Sequence, residues 1–186
     1  MIAKKPAMNR QIREQFPGWM LILVLVAALH GQEHQHEHGE KGPEKKIAPP
    51  RVFLDKSLRI VQYQLKRLDN QRLLLVERKT DDPKYAPVYA AILTRAGMSP
   101  QYREEALKSL VELNRSHALT ELLKALGTMD ADDQQQLRTG RQLATMLLGL
   151  PAEQLAANKS ALLKSTESEN RLVRSVGYAG LISGGA

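Results

Sequence analysis

The sequence of 186 residues predicts an all-α protein in which short amphipathic helices follow an N-terminal tether of different character. Three observations support this prediction. From residue 57 onwards, leucine, valine and alanine recur at intervals of three and four, which places them on one face of a helix. Serine, aspartate, proline and glycine interrupt this pattern at positions typical of helix ends. No convincing series of alternating apolar residues favours a sheet instead.

The first two helices follow directly after the tether. Residues 57–68 fit a helix, although Val61, Tyr63 and Leu65 also alternate as they would in a strand. Residues 71–78 carry the next apolar run. A third helix is expected to begin near Pro87, because a proline inside a helix would clash with the preceding turn, and Gly97 marks its end.

Clearer end signals delimit the fourth and fifth helices. Ser99 is a favourable N-cap and Pro100 suits the first helical position. Ser116 is predicted to cap the following helix, whose end is marked by Gly127. These signals predict two helices separated by a short turn.

Three more helices are expected in the remainder of the chain. Asp130 with Asp133 predicts the start of a helix that ends at Gly149. Pro151 opens another helix, with Leu155, Ala156, Leu162 and Leu163 on its apolar face. Thr166 or Ser168 introduces the last helix. The helical region therefore covers residues 57–182, and residues 183–186 form a tail.

Residues 1–31 have the features of a secretory signal peptide. Four cationic residues precede the uncharged run from Trp19 to Leu29. At about 1.5 Å per residue this run reaches roughly 16 Å, about half of a ~30 Å hydrocarbon core. Ala28 and Gly31 provide small residues for cleavage. We expect export to the bacterial periplasm or cell envelope, with an uncleaved N-terminal anchor as the alternative.

Residues 32–56 are predicted to form a linker. His34, His36 and His38 alternate with other polar residues, and imidazoles at this spacing can bind zinc, copper or nickel. A catalytic metal site needs ligands held in place by surrounding hydrogen bonds, which a flexible peptide does not supply. The three histidines are therefore weak metal candidates in a solvated tether that the prolines near residue 50 extend.

The composition excludes several kinds of chemistry. The chain has no cysteine, so within it disulfides, zinc–thiolate sites, iron–sulfur clusters and a covalent CxxCH haem site are ruled out. The formal net charge of +7 is divided unevenly, because residues 45–84 hold eleven basic against five acidic side chains. Residues 85–186 hold eleven against ten and are nearly neutral. This distribution argues against nucleic acid as a partner.

Two segments of the sequence align with each other. Tyr102-Arg103-x-x-Ala106-x-x-Ser109-Leu110 matches Val173-Arg174-x-x-Gly177-x-x-Gly180-Leu181 at an offset of 71 residues, close to two repeats of about 35. An apolar–Arg pair recurs at the helix start, and small residues recur where helices approach closely. Between these two segments, Leu137-Arg138 has the same apolar–Arg pair, but Arg141 stands at the position where both segments have a small residue.

This pattern resembles HEAT and HEAT-like repeats over roughly residues 85–182. The resemblance implies a short right-handed stack of antiparallel helix pairs, an armadillo-like α-solenoid, whose concave face binds a partner protein. An ordinary helical bundle with a chance similarity is the alternative.

The combination of signal, tether and helices also resembles the front of large exported bacterial proteins that join HEAT-like repeats to cytochrome c domains. The similarity runs from Arg59-Ile-Val-Gln-Tyr-Gln-Leu through Ala91-Ile-Leu-Thr-Arg95. That family holds its haem at a CxxCH motif located elsewhere. Because this chain has no cysteine, no functional residue carries over, and a haem would belong to a domain outside it.

No catalytic or cofactor-binding residue is predicted. The nucleophile elbow, the phosphate-binding loop, the dinucleotide GxGxxG motif and HExxH are absent from the sequence. Asp130, Asp132 and Asp133 lack the glycine and the final glutamate of a calcium loop, so helix capping explains them better. His117 stands at a helix start and is interpreted as a surface or capping residue.

Two functions follow from these observations. The first is an exported, non-catalytic helical-repeat module for protein binding or scaffolding. The alternative is the N-terminal helical portion of an exported haem-containing electron-transfer protein. The basic stretch at residues 45–84 offers a site for an acidic partner or an anionic membrane surface, or it is a solvated basic face with no partner.

Overall fold

Helices account for the regular structure of residues 48–185, the part of the chain that this computed structural model describes. No strand occurs among these residues, which confirms the all-α prediction. The signal-like segment and His34, His36 and His38 lie outside the described residues. The helices are α1 (Leu58–Lys66), α2 (Asn70–Leu74), α3 (Ala86–Thr94), α4 (Pro100–Asn114), α5 (Ala118–Gly127), α6 (Gln134–Leu148), α7 (Ala152–Ala157), α8 (Lys159–Thr166) and α9 (Arg171–Ser183), with a 3₁₀ turn at Pro83–Tyr85.

Several helices begin where their end signals predict. α1 is a helix and not a strand, with Ser57 at its N-cap. α4 starts at Pro100 behind Ser99. α6 starts behind Asp133, whose Oδ1 accepts hydrogen bonds from the backbone N–H groups of Gln135 and Gln136 at 2.8 and 2.9 Å. Of these three N-caps, Asp133 makes side-chain capping bonds, whereas Ser57 and Ser99 make none.

Other boundaries differ from the prediction. His117 and not Ser116 is the N-cap of α5, and the Ser116 hydroxyl donates to Glu121 Oε1 at 2.6 Å. The helix expected after Pro151 is two helices, α7 and α8, which meet at Asn158. α2 is shorter than expected and ends at Leu74.

The start of α9 is the clearest correction. Asn170 is its N-cap, and neither Thr166 nor Ser168 is. The Asn170 Oδ1 accepts from the Leu172 backbone N–H at 2.9 Å, while its side-chain amide donates to the Met129 carbonyl at 2.9 Å. A contact distant in sequence thus helps to determine where α9 begins.

One continuous apolar core joins the described helices, and it is built mainly from leucine. Each of the helices α1 to α8 contributes at least one side chain that is at most 1% exposed. Leu163, predicted to face inward, is 48% exposed instead. The fully buried aliphatic side chains include Leu65, Leu73, Val88, Leu122, Leu126, Leu143, Leu147 and Leu162.

Most helices pack on their neighbours in sequence. The most extensively packed pairs are α3 with α4 and α8 with α9, followed equally by α5 with α6 and α6 with α9. α9 also contacts α5, α6 and α7. None of the helices in residues 48–185 combines the length and the apolar character needed to cross a membrane.

Small residues lie where α9 approaches α8, as the internal repeat predicts. A Cβ atom on Gly177 would lie 3.0 Å from both the Leu162 carbonyl oxygen and the Thr166 backbone nitrogen. A Cβ atom on Gly180 would lie 2.8 Å from Leu162 Cδ2. The absence of these side chains is what allows the two helix backbones to approach.

Candidate interaction surface

Arginine side chains bind the C-terminal ends of several helices. Arg103 is only 1% exposed, and its guanidinium donates hydrogen bonds to the carbonyls of Leu93 and Arg95 at the end of α3. The last carbonyls of a helix have no partner within it and carry partial negative charge. Two nitrogens of a buried cation thus find partners here without a carboxylate, whereas the buried Arg103 Nε has no hydrogen-bond partner among the described residues. Burial lowers the pKa of Arg103.

The same arrangement recurs at α1 and α2. Arg95 donates to the carbonyl of Leu65 at 2.7 Å and to that of Lys66 at 3.4 Å, at the end of α1. Arg78 donates to the Leu74 carbonyl at 2.6 Å, at the end of α2. Three successive helix ends are thus bound by guanidinium groups.

The second copy of the repeat uses its arginine in a similar way. Arg174 donates to the carbonyls of Ser168 and Glu169 at 2.6 and 3.3 Å, just after α8 ends. In contrast to Arg103, it is exposed. The apolar–Arg pair signals this role in the sequence, but the carbonyl partners become visible only in the folded chain.

The basic stretch at residues 45–84 divides into paired and unpaired cations. Four of its side chains lie within 3.4 Å of a carboxylate oxygen. In the closest pair, the hydrogen bond between the side chains lowers the pKa of Asp82 and raises that of Lys84. The four pairs are Lys56–Asp55, Arg78–Glu105, Lys79–Glu77 and Lys84–Asp82.

Most of the unpaired cations of this stretch are concentrated on one helix. Among residues 48–84, no carboxylate lies within ion-pair distance of Arg59, Lys66 or Arg67, all on or directly after α1, nor of Arg51 and Arg72. Residues 56–68 contain four cations and no acidic residue. The basic excess is therefore a local property of α1.

The solvent side of α1 combines these cations with exposed apolar side chains. Val61 and Leu65 face the core. Leu58, Ile60 and Tyr63 are 58%, 47% and 60% exposed. We call the following residues the α1 outer face: Leu58, Arg59, Ile60, Tyr63, Lys66 and Arg67.

Contacts within and beside this face organise it. Arg67 Nη1 donates to the Tyr63 hydroxyl at 2.9 Å, and the Arg67 guanidinium carbon lies 5.5 Å from the Tyr63 ring centroid. The backbone N–H of Phe53 donates to Gln64 Oε1 at 3.1 Å, which brings a second exposed aromatic ring to the side of α1. Arg51 lies 5.0 Å from the Phe53 ring centroid. Cations and aromatic rings thus alternate over the face and its edge.

Two clefts elsewhere in the described residues offer less chemistry. One of about 340 Å³ is lined by Phe53, Val76, Glu77 and Tyr85, and the Tyr85 hydroxyl already donates to Glu77 at 3.3 Å. The other, of about 400 Å³, is lined by residues that already bind each other. There Asn170 caps α9, and Arg171 lies 3.1 Å from Asp132.

Residues 48–185 contain no cluster of three histidine, cysteine, aspartate or glutamate side chains able to hold a metal ion. Asp133 caps α6, and Asp130 Oδ1 accepts from the Asp132 backbone N–H at 2.9 Å, as the capping interpretation of this acidic run requires. His117 is the exposed N-cap of α5. The metal candidates His34, His36 and His38 lie outside the described residues.

Comparison of the chain with protein-family models, with curated proteins and with solved structures finds no match.

Proposed function

We propose that this protein is an exported, non-catalytic helical-repeat module that binds a partner protein. The helices form a short right-handed stack of antiparallel pairs, with α3–α4, α5–α6 and α8–α9 as successive units. The packing within each of these pairs supports this arrangement, as do the contacts of α5 with α3 and α4 and of α9 with α5 and α6, which join successive pairs. The recurrent arginine, which binds the end of α3 in one copy and the loop after α8 in the other, also supports it.

The distribution of exposed apolar side chains supports the protein-binding role most directly. The second helix of each pair exposes at least one large apolar residue. In contrast, α3 and α5 expose none, and α8 exposes Leu163. Since four of the five large apolar side chains exposed on these three pairs lie on the second helices, we interpret that layer as the surface that a partner protein covers. The residues on the second helices are Tyr102 on α4, Leu148 on α6, and Tyr178 and Ile182 on α9.

Site-specific photo-cross-linking tests the binding face. A photoreactive residue is placed at Tyr102 or Tyr178 in the full chain, and at the exposed positions Ala90 on α3 and Lys164 on α8 as matched controls. We expect positions 102 and 178 to form the same adduct in the producing cell, and the controls to form none. Equal adducts at all four positions, or none at 102 and 178, would contradict the proposal.

Cell fractionation tests export separately. Val24→Arg places a charge inside the apolar run and is expected to hold the chain in the cytoplasm. Gln11→Arg adds the same charge outside the run, so this variant is expected in the envelope fraction like the natural chain. If both variants fractionate alike, the run is not an export signal.

A further inference from the structure

The proposed protein-binding surface lies on α4, α6 and α9, so it does not explain the residues of the α1 outer face. It carries three cations without a carboxylate partner in the described residues, together with three exposed apolar side chains. Elsewhere in residues 48–84 the cations are mostly neutralised by adjacent carboxylates, as at Lys84 and Asp82. We infer that the α1 outer face binds an anionic lipid surface.

Charge complementarity favours an anionic surface as the occupant. Residues 56–68 have a formal charge of +4 because they contain no acidic side chain. Basic side chains at a membrane of anionic lipid each contribute about 1 kcal/mol of binding free energy. Arg59 and Lys66 project from the side of α1 opposite Val61 and Leu65, so both can reach one plane.

The apolar residues distinguish a lipid surface from an acidic protein or a soluble polyanion. Ile60 and Tyr63 lie among the cations, Leu58 lies at the border of the face towards Val61, and each of the three is about half exposed. Interfacial helices bury such side chains at the boundary of headgroups and acyl chains, while Lys and Arg extend their charges to the phosphates. A purely electrostatic partner would leave these three side chains in water.

The aromatic groups fit the same interface. Tyr63 presents a ring that belongs in the apolar boundary and a hydroxyl that already accepts a hydrogen bond from Arg67 at 2.9 Å. Phe53, 45% exposed and attached to the side of α1 through Gln64, enlarges the apolar area. The structure thus places aromatic rings next to guanidinium groups on one side of the molecule.

A fluorescent probe tests whether this face contacts lipid. Because the chain has no cysteine, Gln62→Cys and Gln142→Cys each introduce one unique labelling site for an environment-sensitive dye in the full chain. Both positions are exposed, the first on α1 and the second on α6. We expect a blue shift of the dye at position 62 with phosphatidylglycerol vesicles, and no shift at position 142. No shift at 62, or equal shifts at both, would overturn the inference.

Charge variants measure the contribution of the cations. R59S/K66S is expected to weaken partition into phosphatidylglycerol vesicles by roughly 10- to 30-fold, since each cation contributes a factor of about five. R138S/R141S removes the same charge from exposed positions on α6 and should change partition by less than about twofold. Any contribution of residues 1–47 is common to both variants. Equal losses of vesicle partition in the two double variants would mean that binding depends only on net charge. That result would overturn the assignment of the lipid site to α1.

An apolar variant separates lipid from other anions. Tyr63→Ser is expected to weaken vesicle partition several-fold, while Leu163→Ser, at an exposed apolar residue of α8, leaves it unchanged. If polyglutamate binds as tightly as the vesicles and Tyr63→Ser has no effect, the partner is an acidic polymer and the lipid inference is wrong. Circular dichroism confirms that each variant is folded. The photo-cross-linking test at positions 102 and 178 is a separate measurement, so the lipid inference can fail while the protein-binding proposal stands.

Discussion

The α3–α4 and α8–α9 pairs occupy corresponding places in the internal repeat, but different interactions hold them together. In the first pair, the buried Arg103 guanidinium joins the start of α4 to the carbonyls that end α3. In the second, Arg174 is exposed, and Gly177 brings α9 against the backbone of α8 instead. The first pair therefore depends on satisfying a buried charge, and the second on the absence of a side chain.

The two pairs nevertheless share features at the positions that align in the sequence. Both pairs bury small residues, at Ala106 and Ser109 in α4 and at Gly177 and Gly180 in α9. In both, the repeated arginine donates to backbone carbonyls that precede its own helix, at the end of α3 for Arg103 and in the loop after α8 for Arg174. The two pairs differ in two respects. The arginine is buried in α4 and exposed in α9, and the small residues are alanine and serine in α4 but glycines in α9.

The largest expected effect is at Arg103. Arg103→Ala leaves the Leu93 and Arg95 carbonyls without their charged donor and opens a cavity, so we expect it to lower the free energy of unfolding by about 3 kcal/mol. Arg174→Ala, at the corresponding exposed position, is expected to cost at most about 1 kcal/mol. Urea denaturation of both variants measures the difference.

Arg103→Met serves as the control for volume. It fills most of the space but donates no hydrogen bond, so we expect a stability between those of the natural chain and Arg103→Ala. If the methionine variant is as stable as the natural chain, the cost of burying the guanidinium cancels its hydrogen bonds. The contrast between the two helix pairs would then be one of packing alone.

The starts of α4 and α9 provide the second contrast. Asn170→Ala removes the N-cap of α9 together with the bond to the Met129 carbonyl, for an expected loss of about 2 kcal/mol. Ser99 makes no side-chain capping bond, so Ser99→Ala should change stability by less than about 0.5 kcal/mol. Thermal unfolding of the two variants in the same buffer measures the two losses of stability. Equal losses would contradict the expected difference between the starts of α4 and α9.

The third contrast concerns the glycines. Gly177→Ala places a methyl group 3.0 Å from backbone atoms of α8, and we expect a loss of about 1 to 2 kcal/mol. A Cβ atom on Gly127 would meet no other part of the described chain within 4 Å, so Gly127→Ala should raise stability by about 0.5 kcal/mol through helix propensity. Denaturation midpoints report the two signs. A stabilised Gly177→Ala variant would show that α8 and α9 can separate slightly without cost.

The smallest effect is at the joint between α4 and α5. Burial of the Glu121 carboxylate raises its pKa, but hydrogen bonds from Ser116, Lys124 and Asn114 outweigh this and hold the pKa below its ordinary value of 4.5. Glu121→Gln is expected to cost about 1 kcal/mol at pH 7. Because the pKa is lowered by folding, the contribution of the carboxylate is present above pH 4.5 and is lost as the pH falls through the folded value.

Denaturation of the natural chain and Glu121→Gln between about pH 7 and pH 3 tests this dependence. The stability difference between them should shrink with acidification. Glu153→Gln, at an exposed position of α7, is the control and should show no such trend. A difference that is constant with pH would mean that Glu121 stabilises the joint by packing and not by charge.

Much of the helical pattern was predictable because local chemistry determines it. Pro100 begins α4 and Asp133 caps α6, and in both cases the signal and its effect lie within a few residues. The boundary at α9 was not predictable, since Asn170 also binds the Met129 carbonyl, 41 residues away in sequence. Ser116 is not the cap of α5, which begins after His117; the Ser116 hydroxyl instead donates to Glu121 Oε1, five residues further along the chain.

The candidate surface was predictable only as a basic stretch. The sequence locates eleven cations in residues 45–84, but which of them find carboxylates depends on folding. Arg78, for example, meets Glu105 from α4, 27 residues away. The cations of α1 that have no carboxylate partner among the described residues can therefore be identified only from the folded structure.

By itself the sequence determined the all-α class, the absence of cysteine chemistry and the small residues of the repeat, because each follows from residue type and spacing along the chain. The tertiary structure alone decided which arginine is buried, which cations stay unpaired among the described residues and how closely α8 approaches α9. The physical reason is that hydrogen bonds, ion pairs and close contacts between helices join residues far apart in sequence, where no local pattern records them.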